Sequence, residues 1–125
     1  MICPTLVSQY AAVGALSEGK TFCASKLGLI LEIREYLLHR LQGLGSIIDT
    51  PMSQGAFYIL IRVNTDLDDM VLVERLISEY GVAVIPGSAF GIDGGCFIRV
   101  AFAALDKSTA QSAIDRLVKG LVDLA

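Results

Sequence analysis

The chain has 125 residues, the size of one domain, and its formal net charge of −3 with ten dispersed basic residues argues against a nucleic-acid or anionic-membrane partner. Apolar residues make up 54% and charged residues only 18% of the chain, against roughly 25% charged in a typical soluble domain, so we expect part of the surface to be covered by a partner subunit or a further domain. The odd set of Cys3, Cys23 and Cys96 has no metal-ligand spacing and indicates reduced thiols in a cytoplasmic protein rather than a disulfide framework.

The first part of the chain predicts two helices with a break between them. Pro4 occupies a first-turn position ahead of a helix over residues 5–16, and the stretch SEG at residues 17–19 interrupts it. A longer helix follows over residues 21–42, with apolar residues at helical spacing on its inner face. No stretch reaches the ~18 unbroken apolar residues of a membrane helix. No basic residue precedes the apolar opening, which we therefore interpret as neither a signal peptide nor an anchor.

The remainder of the chain predicts short strands separated by helices. The predicted strands cover residues 46–49, 56–63, 82–85 and 96–102, and the predicted helices cover residues 68–80 and the C-terminal stretch after a cap at Asp106 or Ser108. This order predicts an α+β domain in which a small sheet is covered by helices. The first helix is not needed for such a compact core.

Arg99 stands in the middle of an otherwise apolar strand, within CFIRVAFAAL at residues 96–105. A guanidinium does not lose its proton in a protein, and burying it unpaired is costly. On strand geometry Arg99 shares a face with Phe97 and Ala101. Either the side chain reaches water from an edge strand, or its planar fork of donors holds an anion such as a carboxylate. The nearest upstream acid, Asp93, lies in the preceding loop, so both interpretations stay open.

The glycine-rich loop PGSAFG at residues 86–91 is a second candidate. A phosphate cradle needs a glycine loop that opens directly into a helix, whereas this loop joins two predicted strands. Its Phe90 either anchors packing or lines a pocket.

Other polar residues give weaker signals. His39, the only histidine, has no partners at metal-ligand spacing and is interpreted as a solvated helix residue. Lys26 is interpreted as surface charge on an amphipathic helix. Asp66, Asp68 and Asp69 are typical of a helix start and not of a metal site.

Three segments in this order resemble the C-terminal part of class I/II aminotransferases, which are fold-type I enzymes that use pyridoxal 5'-phosphate. They are QGAFY at residues 54–58, VIPGSAFG at 84–91 and FIRVAF at 97–102. The opening, CPTLVSQYAAVGAL, also resembles the helix that leaves the cofactor domain of these enzymes. The resemblance covers nearly the whole chain. It implies that residues 1–125 are the C-terminal small domain of such an enzyme, with a mostly antiparallel sheet. Residues 1–19 would form the helix that connects to a large domain, and residues 20–125 the compact sheet-and-helix domain.

The resemblance also implies roles for individual residues. Arg99 would bind the α-carboxylate of an amino-acid or 2-oxo-acid substrate, and Phe90 with its loop would shape the mouth of the pocket. The family's catalytic lysine would lie upstream of residue 1, and Lys26 does not replace it. We therefore expect no catalytic, cofactor-binding or metal-binding residue in this chain. The expected parent enzyme is a cytoplasmic homodimer, and the isolated domain is expected to be inactive.

Three alternatives remain. Decarboxylases, β-lyases and aminotransferase-like domains of transcription regulators share the fold and the carboxylate-binding arginine. A stand-alone module that binds amino acids without catalysis would use Arg99 in the same way. A purely structural role would make Arg99 a surface residue of an interaction domain.

Overall fold

The computed structural model describes residues 3–50 and 53–125. The helices are α1 (Leu6–Gln42), α2 (Asp69–Tyr80) and α3 (Lys107–Leu124). The strands are β1 (Ile48–Asp49), β2 (Tyr58–Val63), β3 (Ile85–Pro86) and β4 (Cys96–Ala101), and short 3-10 turns cover Gly45–Ile47 and Gly87–Phe90. This architecture confirms the predicted α+β class. Among the described residues, no helix combines the length and the apolar character needed to cross a membrane.

The strands form one antiparallel sheet of four strands in the order β1-β2-β4-β3. The two central strands pair along their whole length, from Tyr58 opposite Ala101 to Val63 opposite Cys96. Alternate residues of a strand point to opposite faces of the sheet, so this register gives the sheet two chemically different faces.

One face of the sheet belongs to the hydrophobic core. It contributes the buried side chains of Ile59, Ile61, Val63, Cys96, Ile98 and Val100. All three helices supply further buried apolar residues to the same core, notably Ile33, Leu37, Leu72, Leu76, Leu117 and Leu121. The opposite face carries exposed or half-buried side chains from β2 and β4, as the predicted alternation around Arg99 requires.

Helix α1 has two parts with different environments. The backbone leaves helical geometry at Gly19, whose φ of 52° and ψ of −132° are rarely adopted by residues with a side chain. This confirms the predicted break. Residues 20–42 reach the core through Ile33, Leu37 and Leu41, whereas every residue from 3 to 18 is exposed.

The two later helices begin at side-chain caps. The Asp68 side chain accepts a hydrogen bond from the Met70 amide at 2.9 Å, and the Asp106 side chain accepts one from the Thr109 amide at 3.0 Å. Gly81 ends α2 in the left-handed region, with φ of 63°. Of the two predicted caps for α3, the structure shows Asp106.

Two predicted strands are wrong in extent. The strand predicted over residues 82–85 is reduced to Ile85–Pro86, because the Val82 amide donates to the Leu76 carbonyl and completes the end of α2 instead of joining the sheet. The strand predicted over residues 46–49 is mostly a 3-10 turn in which the Ile47 amide donates to the Leu44 carbonyl. In both cases the apolar pattern indicated that side chains are buried. It did not indicate which groups the backbone amides and carbonyls bind.

Candidate functional site

Arg99 lies in the middle of β4 on the face of the sheet that points away from the core. Its direct cross-strand neighbours are Leu60 on β2 and Ile85 on β3, both apolar. The side chain is half-buried. Strand pairing on both sides fixes the backbone of Arg99, so the guanidinium extends from a rigid base.

Two aromatic rings flank the guanidinium. The Cζ atom of Arg99 lies 5.0 Å from the centre of the Tyr58 ring and 4.5 Å from the centre of the Phe90 ring. Contacts of this kind are worth about 0.5–2 kcal/mol each. The Tyr58 ring is itself held edge-to-face against Phe57, with 5.6 Å between the ring centres. The rings hold the cation in a restricted orientation without neutralising its charge.

Within the described residues, Arg99 has no ion-pair or hydrogen-bond partner on its side chain, and its Nε is buried without an acceptor. A buried donor left without a partner costs about 1–3 kcal/mol, and a charged one more. Arg62 on the same face differs, because its side chain is exposed to water whereas that of Arg99 is half-buried. The geometry therefore leaves a planar cationic fork available to an external anion, and a carboxylate matches that fork in two parallel hydrogen bonds.

Phe90 reaches Arg99 because the 3-10 turn Gly87–Phe90 packs closely on β4. A Cβ atom at Gly87 would lie 2.5 Å from the Cβ of Phe97, so only glycine permits this approach. Gly91 ends the turn with φ of 73°. The predicted loop thus contains an ordered turn, and the structure brings its Phe90 together with Arg99.

A residue that the sequence interpretation missed holds this turn in place. Asp69 is only 5% exposed, and its carboxylate accepts hydrogen bonds from the Ser88 amide at 2.7 Å and the Ser88 hydroxyl at 2.9 Å. Asp68 alone caps α2. The helical period could have indicated that Asp69 is buried, because Asp69 shares the buried face of α2 with Leu72 and Leu76.

The other titratable candidates lie elsewhere. His39 and Lys26 are exposed on α1, with the Lys26 ammonium 6.0 Å from the Phe22 ring centre. Cys96 lies in the core. The part of the chain that the structure describes contains no cluster of three metal-ligating side chains.

The chain is similar in sequence to known aminotransferases. The family model for aminotransferases of class I and II matches residues 1–117. An aromatic aminotransferase of Arabidopsis thaliana is 32% identical over 124 residues, which cover 98% of this chain and 31% of that protein. An LL-diaminopimelate aminotransferase of Nitratidesulfovibrio vulgaris is 31% identical over 111 residues, which cover 89% of this chain and 28% of that protein.

The fold is also similar to a solved structure from the same group of proteins. An aminotransferase from Mycobacterium tuberculosis superposes with a TM-score of 0.84 and 31% identity, over 98% of this chain and 32% of that one. The chain thus spans about a third of the length of the relatives that it matches.

Proposed function

Since the chain belongs to the family of class I and II aminotransferases, we propose that it forms the small domain of a pyridoxal-phosphate-dependent aminotransferase and supplies the arginine that binds the substrate carboxylate. Enzymes of this family transfer an amino group between an amino acid and a 2-oxo acid. The observation that carries the proposal is the guanidinium of Arg99, which lies between two rings on the open face of the sheet and has no partner among residues 3–50 and 53–125.

One arginine can serve both halves of such a reaction. An amino acid and its 2-oxo acid differ at the carbon that gains or loses the amino group, but both carry a carboxylate on the neighbouring carbon. A bidentate ion pair to Arg99 would hold that carboxylate and so fix the position of the reacting carbon, which converts binding energy into orientation. Tyr58 and Phe90 would keep the fork in the plane that the carboxylate must enter and would exclude water from its faces.

The described residues around Arg99 do not fit the cofactor itself. Pyridoxal phosphate needs a lysine as its covalent partner, and the four lysines of the chain lie on α1 and α3 and not on the Arg99 face. These are Lys20, Lys26, Lys107 and Lys119. Lys107 is paired with Glu32 at 2.6 Å. We propose that the cofactor and its lysine belong to a large domain, consistent with the relatives being about three times as long as this chain.

We propose as substrates the class of compounds that the relatives have in common, which is amino acids. The names of the relatives include aromatic, LL-diaminopimelate and aspartate aminotransferases. These substrates share the amino-acid carboxylate and differ in their side chains. The agreement on amino transfer supports an aminotransferase over a decarboxylase, a lyase or a regulator.

We further propose that the complete protein is a cytoplasmic homodimer. The exposed apolar side chains of the first part of α1 support a covering domain or subunit. Cys3, Cys23 and Cys96 are free thiols, which supports a reducing compartment.

Replacing Arg99 in the complete protein tests the proposal. Arg99→Lys keeps the charge but loses the bidentate fork, and Arg99→Gln also loses the charge. We expect kcat/KM for the amino acid and for the 2-oxo acid to fall about 100-fold or more in Arg99→Gln, since removing one member of a desolvated charge pair is costly. Arg99→Lys is expected to recover only part of the loss. Cofactor content, read from absorbance, is expected to stay unchanged.

Arg62→Gln is the matched control. It removes an exposed guanidinium from the same sheet face, and we expect kcat/KM to change less than threefold, as for a typical surface substitution. Equal losses in Arg62→Gln and Arg99→Gln would show a general effect of surface charge and contradict the proposal. An unchanged KM in Arg99→Gln would assign Arg99 a structural role.

A further inference from the structure

Asp69 is a buried carboxylate that the proposed chemistry does not use. Among the described residues it is the one charged side chain in the buried class. An ionised carboxylate is expensive to remove from water unless hydrogen bonds replace its hydration. Both of its oxygens accept such bonds, and both bonds come from Ser88, which lies 19 residues further along the chain.

The two hydrogen bonds fasten the 3-10 turn to the first turn of α2. Ser88 lies in the middle of the turn, and its carbonyl accepts a hydrogen bond from the Gly91 amide at 3.0 Å. Phe90 lies between these two anchored residues. Because Phe90 is 48% exposed, packing alone holds it weakly, and the position of its ring depends on the hydrogen bonds between Asp69 and Ser88.

We propose that Asp69 is a positioning residue for the Arg99 site, which it controls through Ser88 and Phe90. The inference rests on the proposed function of Arg99 as the carboxylate-binding group. Without these hydrogen bonds, the turn moves independently of α2 and Phe90 no longer holds its face against the guanidinium at 4.5 Å. Arg99 then samples orientations in which its fork cannot receive a carboxylate. Because that contact is made in the ground state as well as in the transition state, the loss falls mainly on KM and not on kcat.

The test uses graded substitutions in the complete, cofactor-loaded protein. Asp69→Ala removes both hydrogen bonds, and we expect KM for the amino acid to rise about tenfold with kcat changed less than threefold, the size expected for losing bonds of this kind. Ser88→Ala removes only the hydroxyl bond and is expected to give a smaller rise. Asp69→Asn keeps the shape, accepts from the Ser88 amide and donates to the Ser88 hydroxyl, and is expected to restore KM to within about threefold of the parent.

Asp68→Ala is the matched control, because the Asp68 side chain caps the same helix through the Met70 amide and, among the described residues, forms no hydrogen bond with Ser88. We expect it to lower the melting temperature as a lost cap does without changing KM. Hydrogen–deuterium exchange gives a readout that does not depend on activity. Asp69→Ala is expected to speed exchange in the peptide that contains residues 87–91, and Asp68→Ala is not.

The outcomes separate this inference from the proposed function. Faster exchange with an unchanged KM in Asp69→Ala, while Arg99→Gln still raises KM, would overturn the positioning role and leave the role of Arg99 intact. An equal rise of KM in Asp68→Ala would show loss of stability and not of positioning. An unchanged KM in Arg99→Gln would remove the premise and overturn both.

Discussion

The thiol of Cys96 lies on the core face of β4, three residues before Arg99 on the opposite face. Burial, with a smaller contribution from the nearby carboxylates of Asp69 and Asp68, raises the pKa of Cys96 to about 11. The thiol is therefore both covered and protonated at neutral pH, and a protonated thiol is a poor nucleophile.

The difference in exposure between Cys96 and the other two cysteines predicts selective alkylation. With iodoacetamide at pH 8, Cys3 and Cys23 are expected to react in the native protein, because both are exposed, whereas Cys96 is expected to react only after unfolding. Peptide mass spectrometry after timed labelling measures the three rates. In guanidinium chloride the rates are expected to become similar, which is the control. Native labelling of Cys96 as fast as that of Cys23 would contradict the described packing of β4.

Among the residues of the candidate site, the sequence led us to propose Arg99 and Phe90 but not Asp69. Arg99 was recognisable because a permanent cation in an apolar strand needs a special explanation. Asp69 follows another aspartate at a helix start, so the local sequence suggested only a role in starting the helix. Its partner Ser88 is close only because α2 and the turn after β3 meet in the folded chain. That contact is tertiary, and the spacing of residues along the sequence does not indicate it.

At the scale of elements, the start of α3 depends on one carboxylate. Asp106 accepts hydrogen bonds from the Thr109 amide at 3.0 Å, from the Thr109 hydroxyl at 2.6 Å and from the Ser108 hydroxyl at 2.6 Å. The hydrogen bonds from Ser108 and Thr109 hold the pKa of Asp106 well below its usual range. A lowered folded-state pKa stabilises the fold above the unfolded value of about 4 and loses this contribution as the pH falls toward the folded value.

Asp106→Asn tests this dependence. Asparagine is also a good helix cap but does not titrate in this range. We expect the parent to lose more stability than Asp106→Asn between pH 6 and pH 3, with the difference appearing below about pH 4. Urea unfolding followed by circular dichroism at each pH measures it. Parallel pH profiles for the two proteins would show that Asp106 does not contribute through its charge.

The helices were predicted closely and the short strands were not, for a physical reason. A helix satisfies its own backbone hydrogen bonds, so periodicity and caps such as Asp68 and Gly81 identify it locally. A strand is defined by its partner. β3 is limited to Ile85–Pro86 because β4 accepts only that segment, while the preceding residues complete α2.

At the scale of the whole molecule, α1 is the element least explained by this domain alone. Residues 6–18 form most of the exposed part before the break at Gly19, and none of their side chains is buried. A lone helix of this length is marginal in water without tertiary packing. The exposed side chains include Leu6 at 66% and Leu16 at 80% exposure. The first part of α1 therefore contributes exposed apolar surface that the core of this domain does not cover.

This surface predicts that the 125-residue chain associates with itself when it is studied alone. Soluble monomers rarely expose contiguous apolar patches above a few hundred Å², and Leu6, Tyr10, Val13 and Leu16 recur at helical spacing on one side of α1. Sedimentation velocity from micromolar to millimolar concentration is expected to show oligomers that grow with concentration. Leu6→Glu combined with Leu16→Glu is expected to return the chain to a monomer.

Gln9→Glu combined with Ser17→Glu is the control, because it adds the same charge to α1 without removing apolar surface. It is expected to leave the association in place. A parent chain that stays monomeric throughout this range would show that the apolar stripe needs no cover, and the composition would then have to be explained by the core alone.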